Sequence, residues 1–298
     1  MPTVSWSTPI EHSSDATFRA WGSDLSTRFA LAGLVQTLDT GQINWLTVTR
    51  PGAITFAGYE IWRFNDTLQA TSPVFIKVEY GTANNATVPA LRITVSSGTN
   101  GAGTPTGLVT TARLAYTATP LIANANITNF PSYLCATAGF AGLSFKIGAA
   151  ASSSLTLIGF TVQRTVDNTG APTAAAVVLT TCGASNDTTT ASLVSIINYT
   201  SSTVNNGSTG IDLGAMPSAI TSSLVGTSPQ VFLHWVSVPQ VTPLVGTAAC
   251  ILSEIVIGSQ RNLTLVGTTP RNYIAIGNSL RKTAYSAAVV GTLMIWET

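Results

Sequence analysis

From Ile43 to Trp296 the chain is a succession of short runs in which apolar and polar residues alternate, each broken by Gly, Asn, Ser or Pro. A period of two puts successive side chains on opposite faces of an extended backbone, which suits strands. Ile43–Val48, Gly58–Phe64, Val74–Tyr80, Leu91–Val95 and Leu108–Thr117 read as strands of a first β-unit. Gly58–Phe64 and Val74–Tyr80 form an antiparallel hairpin with a long loop that Asn65-Asp66 opens and Pro73 closes. In its first strand Tyr59, Ile61 and Arg63 share one face, and Glu60, Trp62 and Phe64 the other. Further strands are expected at Leu143–Ile147, Leu155–Gln163, Ala175–Thr180, Leu193–Tyr199, Gln230–Val238, Ala249–Ile257, Leu263–Val266, Tyr273–Ile276 and Val289–Trp296.

One segment has a different period. Over residues 14–35, Phe18, Trp21, Leu25 and Phe29 recur at the three-to-four spacing of a helix face. Ser13 or Ser14 can cap it, Asp15 sits at the positive end of its dipole, Asp24 and Arg28 can pair one turn apart, and Gly33 supplies a stop. This helix precedes every clear strand. Its apolar face can pack on the chain's own core or dock on a neighbouring chain. The fold class is therefore mainly β: an N-terminal amphipathic helix followed by antiparallel β-sandwich or jelly-roll-like domains. The aperiodic stretch Pro120–Pro131 marks a boundary, giving an arm and helix over 1–36, a first β-domain over 37–125 and a second over 126–298. Leu-Val-Gly-Thr at Leu224, Leu244 and Leu265, with a close variant at Val289, is compatible with equivalent turns.

Charge narrows what such a fold can do. Only 8% of the 298 residues are Asp, Glu, Lys or Arg, against about 25% in an ordinary soluble domain. The surface is then mostly hydroxyls, amides and small apolar groups, which lose little on burial against a matching surface. That favours a permanent place in an assembly, and also fits a durable extracellular protein. Twelve of the 25 charged side chains fall within residues 1–79, and none between Arg164 and Arg261 is basic. There is no basic run to bind nucleic acid. No apolar run is long enough to span a bilayer, and residues 1–15 lack the pattern of a secretory signal. Cys135, Cys182 and Cys250 are an odd number without short spacing, which is no disulfide framework; one bridge is possible, and three buried thiols are the better reading. The seven Asn-x-Ser/Thr sequons are what a Thr-rich chain produces by chance.

Catalytic patterns are scarce. His12 sits in a polar lead-in and His234 in a strand, and neither joins a set of zinc ligands. No Gly-x-Ser-x-Gly elbow occurs. Gly98–Gly107, GTNGAGTPTG, lacks the Gly-Lys-Ser/Thr of a phosphate loop and reads as a flexible turn. Glu60, Asp66, Glu79, Asp167, Asp187, Asp212 and Glu254 could supply a glycosidase pair, but spacing in a β-fold reveals none. Trp6, Trp62, Trp235 and Trp296 are conceivable sugar platforms, with core packing the better reading for the last three. The expectation is a non-enzymatic protein with no catalytic residues, cofactor or metal.

Phe18–Trp45, Ala57–Gly81 and Gly98–Gly107, in that order, resemble a group of structural proteins of tailed bacteriophages, found among tail, baseplate and fibre-associated virion components. The resemblance covers roughly residues 12–107. It implies a virion component assembled in the host cytoplasm, whose partners are other virion proteins and copies of itself. It also implies an attachment role for the N-terminal third. Candidate interface residues are Phe18, Trp21, Leu25 and Phe29 on the helix, with Trp62, Phe64, Asn65 and Asp66 on the hairpin and its loop. The alternatives are a receptor- or glycan-binding module of a fibre, with a host surface glycan as partner, and a capsid decoration or head-fibre protein.

Overall fold

The computed structural model describes residues 4–10, 12–82, 89–109, 113–114, 130–147, 156–166, 171–181, 193–197, 231–233, 248–251, 260–263, 271–277 and 291–295. Within them the chain is mainly β, with antiparallel sheets and one α-helix near the N-terminus. The expectation that the helix precedes every strand is corrected: β1 (Val4–Ile10) comes first, then α1 (Asp15–Leu31). β1 escapes a local reading because its partner lies more than a hundred residues downstream, with Val4 opposite Ala136 and Ile10 opposite Phe130.

The helix begins where its capping chemistry predicts. Ser14 is the N-cap in extended backbone. Its Oγ accepts from the Thr17 amide at 3.2 Å, and Thr17 Oγ1 accepts in return from the Ser14 amide at 3.0 Å. Arg28 Nε lies 3.5 Å from Asp24 Oδ1 on the outer side. Gly33, at φ 93°, turns the chain back toward the sheet. Phe18, Trp21, Leu25 and Phe29 are at most 4% exposed, so this face packs on the chain's own core.

The next sheet is a meander of β2 (Val35–Gln36), β3 (Thr55–Arg63), β4 (Phe75–Thr82), β5 (Pro89–Thr99) and β6 (Pro105–Val109), with β7 (Arg113–Leu114) also on β5. The expected strand at Ile43–Val48 is instead a turn. Asn44 Oδ1 accepts from the Leu46 amide, and Asn44 O from those of Thr47 and Val48, so the side chain supplies a local alternative to a ladder. Gly98–Gly107 is less loop than expected, because β5 runs to Thr99 and β6 starts at Pro105.

A second sheet has the order β1–β8–β9–β10–β11–β12, with β8 at Phe130–Thr137, β9 at Phe140–Ile147, β10 at Thr156–Val166, β11 at Pro172–Thr181 and β12 at Leu193–Ile197. A third, antiparallel throughout, is built from β13 (Val231–Leu233), β14 (Ala248–Ile251), β15 (Gln260–Leu263), β16 (Arg271–Gly277) and β17 (Gly291–Ile295), in the order β13–β14–β17–β16–β15. One buried cluster joins the helix face to Trp62, Ile76, Val78, Tyr80, Leu91 and Val95 of the first sheet and to Leu134, Leu143, Phe160 and Val162 of the second. It draws on residues from both sides of the boundaries placed at 36 and at 125.

Candidate functional site

The most concentrated chemistry lies between α1 and the first sheet, around Glu60. The period-two pattern of β3 places Glu60 on the inner face beside Trp62, and the register sets it opposite Val78. An acidic side chain there is 1% exposed. It is tolerable because donors converge on it. Trp45 Nε1 donates to Oε1 at 2.9 Å, while the Tyr80 hydroxyl at 2.8 Å and Trp62 Nε1 at 3.3 Å donate to Oε2. The Ser26 hydroxyl of α1 is a fourth partner. Burial raises the carboxyl pKa above its ordinary value, and the donors from Trp45, Tyr80, Ser26 and Trp62 offset only part of that shift. Burial, and then Glu60 itself, push the Tyr80 phenol well up.

Trp45 reaches this position because the Asn44 turn throws it inward and α1 leaves a gap. A Cβ on Gly22 would stand 2.1 Å from Trp45 Cη2, so only glycine admits the ring. The rings continue edge to face, from Trp45 to Tyr80 at 4.9 Å and from Trp45 to Phe18 at 5.4 Å. What the arrangement does chemically is bind the helix, the 37–54 segment, β3 and β4 to one carboxyl group.

At the end of this aromatic row stands His12. It does not belong to a polar lead-in: it is 2% exposed, its ring 5.2 Å from that of Phe18. Its Nε2 is 2.8 Å from Thr82 Oγ1, and that hydroxyl donates to Pro51 O at 2.8 Å. Burial, then the charge of Arg50, lower the imidazole pKa from 6.5 to about 3.

The other described carboxylates are also tied to the fold. Asp39 Oδ2 accepts from the Thr99 hydroxyl and from the Gly103 amide. Burial works against its ionisation, but hydrogen bonds from Thr99 and Gly103 prevail and hold its pKa below the usual value. Gly98–Gly107 is thus a pinned hairpin turn, with Asn100 Oδ1 accepting from the amides of Ala102 and Thr104. Glu79 pairs in a fork with Arg92 and lies 3.7 Å from Lys77 Nζ on the outer face of the first sheet. Tyr59, not Glu60, stands opposite Glu79, so these two glutamates face opposite sides of the sheet and cannot flank one bond.

The structure places most of the expected interface residues inside the chain's own core. Phe18, Trp21, Leu25, Phe29, Trp62 and Phe64 are all at most 4% exposed within the chain itself, because both neighbouring layers need an apolar face to close on. Asn65 is exposed, but its amide donates to Ala138 O at 2.7 Å. Asp66 is gripped by Arg164 of β10, so the hairpin loop leans on the second sheet of its own chain. Trp235, Trp296, His234, Cys182, Asp167, Asp187, Asp212 and Glu254 lie outside the described residues. Among the described residues no three His, Cys, Asp or Glu side chains converge as metal ligands, and no helix is long and apolar enough to cross a membrane. Sequence reasoning missed Trp45 and Tyr80 as partners of Glu60, and Gly22 as the gap that admits the Trp45 ring. The signal that could have found them was a carboxylate on the apolar side of an alternating strand, which requires donors from elsewhere. No protein-family model, curated protein or solved structure matches this chain.

Proposed function

We propose that the chain is a non-enzymatic structural component of a bacteriophage virion, tail-, baseplate- or fibre-associated, held there in several copies through its uncharged surface. The observation that carries this reading is where the few charges go. Charged residues make up 8% of the chain, and five of the six described carboxylates are turned inward or paired with a cation: Glu60 and Asp39 in hydrogen-bonded clusters, Asp66 with Arg164, Glu79 with Arg92 and Lys77, Asp24 with Arg28, while Asp15 is exposed. Hydroxyl, amide and apolar groups, the exposed Leu31, Leu38, Leu46 and Ile54 among them, make up much of the described surface, and such groups can be covered permanently without desolvating ions. The resemblance of residues 12–107 to phage structural proteins points the same way.

Sedimentation velocity of the full recombinant chain over a micromolar concentration series tests this, together with retention on host lipopolysaccharide. Reversible self-association without retention is the expected result. A monomer at every concentration that is retained on the glycan would overturn it in favour of a receptor-binding module.

A further inference from the structure

His12 occupies the joint between the N-terminal strand and the rest of the fold. β1 ends at Ile10 and α1 begins at Asp15, so the ring sits in a linker of four residues. Among the described strands β1 has one hydrogen-bonded neighbour, β8. The network assigns the His12 tautomer. Thr82 Oγ1 already gives its hydrogen to Pro51 O, so the proton shared with His12 belongs to Nε2. Nδ1 is then a bare lone pair, buried and without a hydrogen-bond partner among the described residues. A proton arriving at Nδ1 would make a buried cation. Around it stand the Phe18 ring, T-shaped to the imidazole at 5.2 Å and offering no anion, and Arg50, whose charge opposes the proton. Asp15, the acidic group of the first turn of α1, has Oδ1 occupied by the Arg50 amide at 2.8 Å. Glu11, the neighbour in sequence, lies outside the described residues.

We propose that His12 is an acid-operated latch: protonation of its imidazole drives the ring out of its pocket and draws β1 off the edge of β8, while α1 and the two sheets behind it stay closed. The division falls there because α1 is rooted by Phe18, Trp21, Leu25 and Phe29, each buried in the shared core, whereas β1 is attached along one edge. Release exposes the backbone donors and acceptors of β8, a template on which a strand of another chain can pair.

The sign follows from linkage. The latched state binds its proton with pKa about 3 and the released one near 6.5, so acid favours release across that window. Between pH 7.5 and pH 5 the opening equilibrium should shift roughly 30-fold toward release. Hydrogen exchange read by mass spectrometry on the full chain, normalised at each pH to an unstructured control, tests this. In the wild type, protection of residues 4–10 should fall by that factor while protection of residues 18–31 holds. His12→Phe and His12→Gln, the latter keeping a donor toward Thr82, should both flatten the dependence, and Glu11→Gln should leave it unchanged. Three results would each overturn the proposal: an acid loss that persists in both His12 variants, one that disappears with Glu11→Gln, or one that spreads equally over residues 18–31.

Discussion

Arg164 of β10 closes on Asp66 of the β3–β4 loop, 98 residues earlier, with Nε 2.8 Å from Oδ2 and Nη2 3.1 Å from Oδ1. Its Nη1 donates in addition to Ser72 O and Ala174 O, and the guanidinium lies 5.5 Å from the centre of the Phe64 ring. Its side chain is 4% exposed, so almost all of its charge is compensated by these groups. Asp66→Ala removes the one anion and leaves a buried cation behind. The expected loss is about 3–5 kcal/mol in urea unfolding. The double variant Asp66→Leu with Arg164→Met, which removes both charges, should recover most of it. An Asp66→Ala loss below about 1 kcal/mol would mean that water screens the pair.

Gly22 and Trp45 are complementary in the same way. Alanine is intrinsically the better helix residue by about 1 kcal/mol, so a surface glycine replaced in α1 would stabilise it. Here the new methyl meets three ring atoms within 2.5 Å, and indole cannot swing aside while its Nε1 is bonded to Glu60. Gly22→Ala should therefore destabilise by about 1–3 kcal/mol. In a Trp45→Leu background the same change should become neutral or favourable. Equal costs in both backgrounds, measured as a double-mutant cycle, would disprove the contact.

Glu60 makes stability depend on pH in the direction opposite to His12. Its folded pKa is raised, so above the ordinary value of 4.5 the native state holds a proton that the unfolded chain has released. Stability relative to Glu60→Gln should fall as pH rises through that window and level off above the folded pKa. The check is the wild-type minus Glu60→Gln difference in denaturation midpoints from pH 4 to pH 8. A flat difference would contradict a raised carboxyl.

Much of this architecture was legible in residue order, for reasons that differ by element. α1 was visible because Phe18, Trp21, Leu25 and Phe29 keep a helical spacing behind a local cap, and both signals lie within the helix and the residue before it. β3 and β4 were visible because alternation is local. β1 was not, since seven residues with Ser, Thr and Pro among them become a strand only when β8 arrives beside them. Ile43–Val48 alternates but turns, because Asn44 offers its own carbonyl groups to the amides that follow. The groupings around Glu60 and Asp66 join segments 15 to 98 residues apart, and no spacing rule in a β-fold connects them. Amphipathicity states that the helix face needs a partner without saying which, and the structure packs that face on the chain's own sheets.

The proposal that this chain works inside a phage particle is most directly tested by quantitative mass spectrometry of gradient-purified particles produced by cells that carry its gene, with tails and DNA-filled heads analysed apart. It predicts several copies per particle, enriched with the tail fraction and resistant to high salt. Absence of the chain from intact particles, with the protein recovered instead as a free species in the lysate, would contradict it.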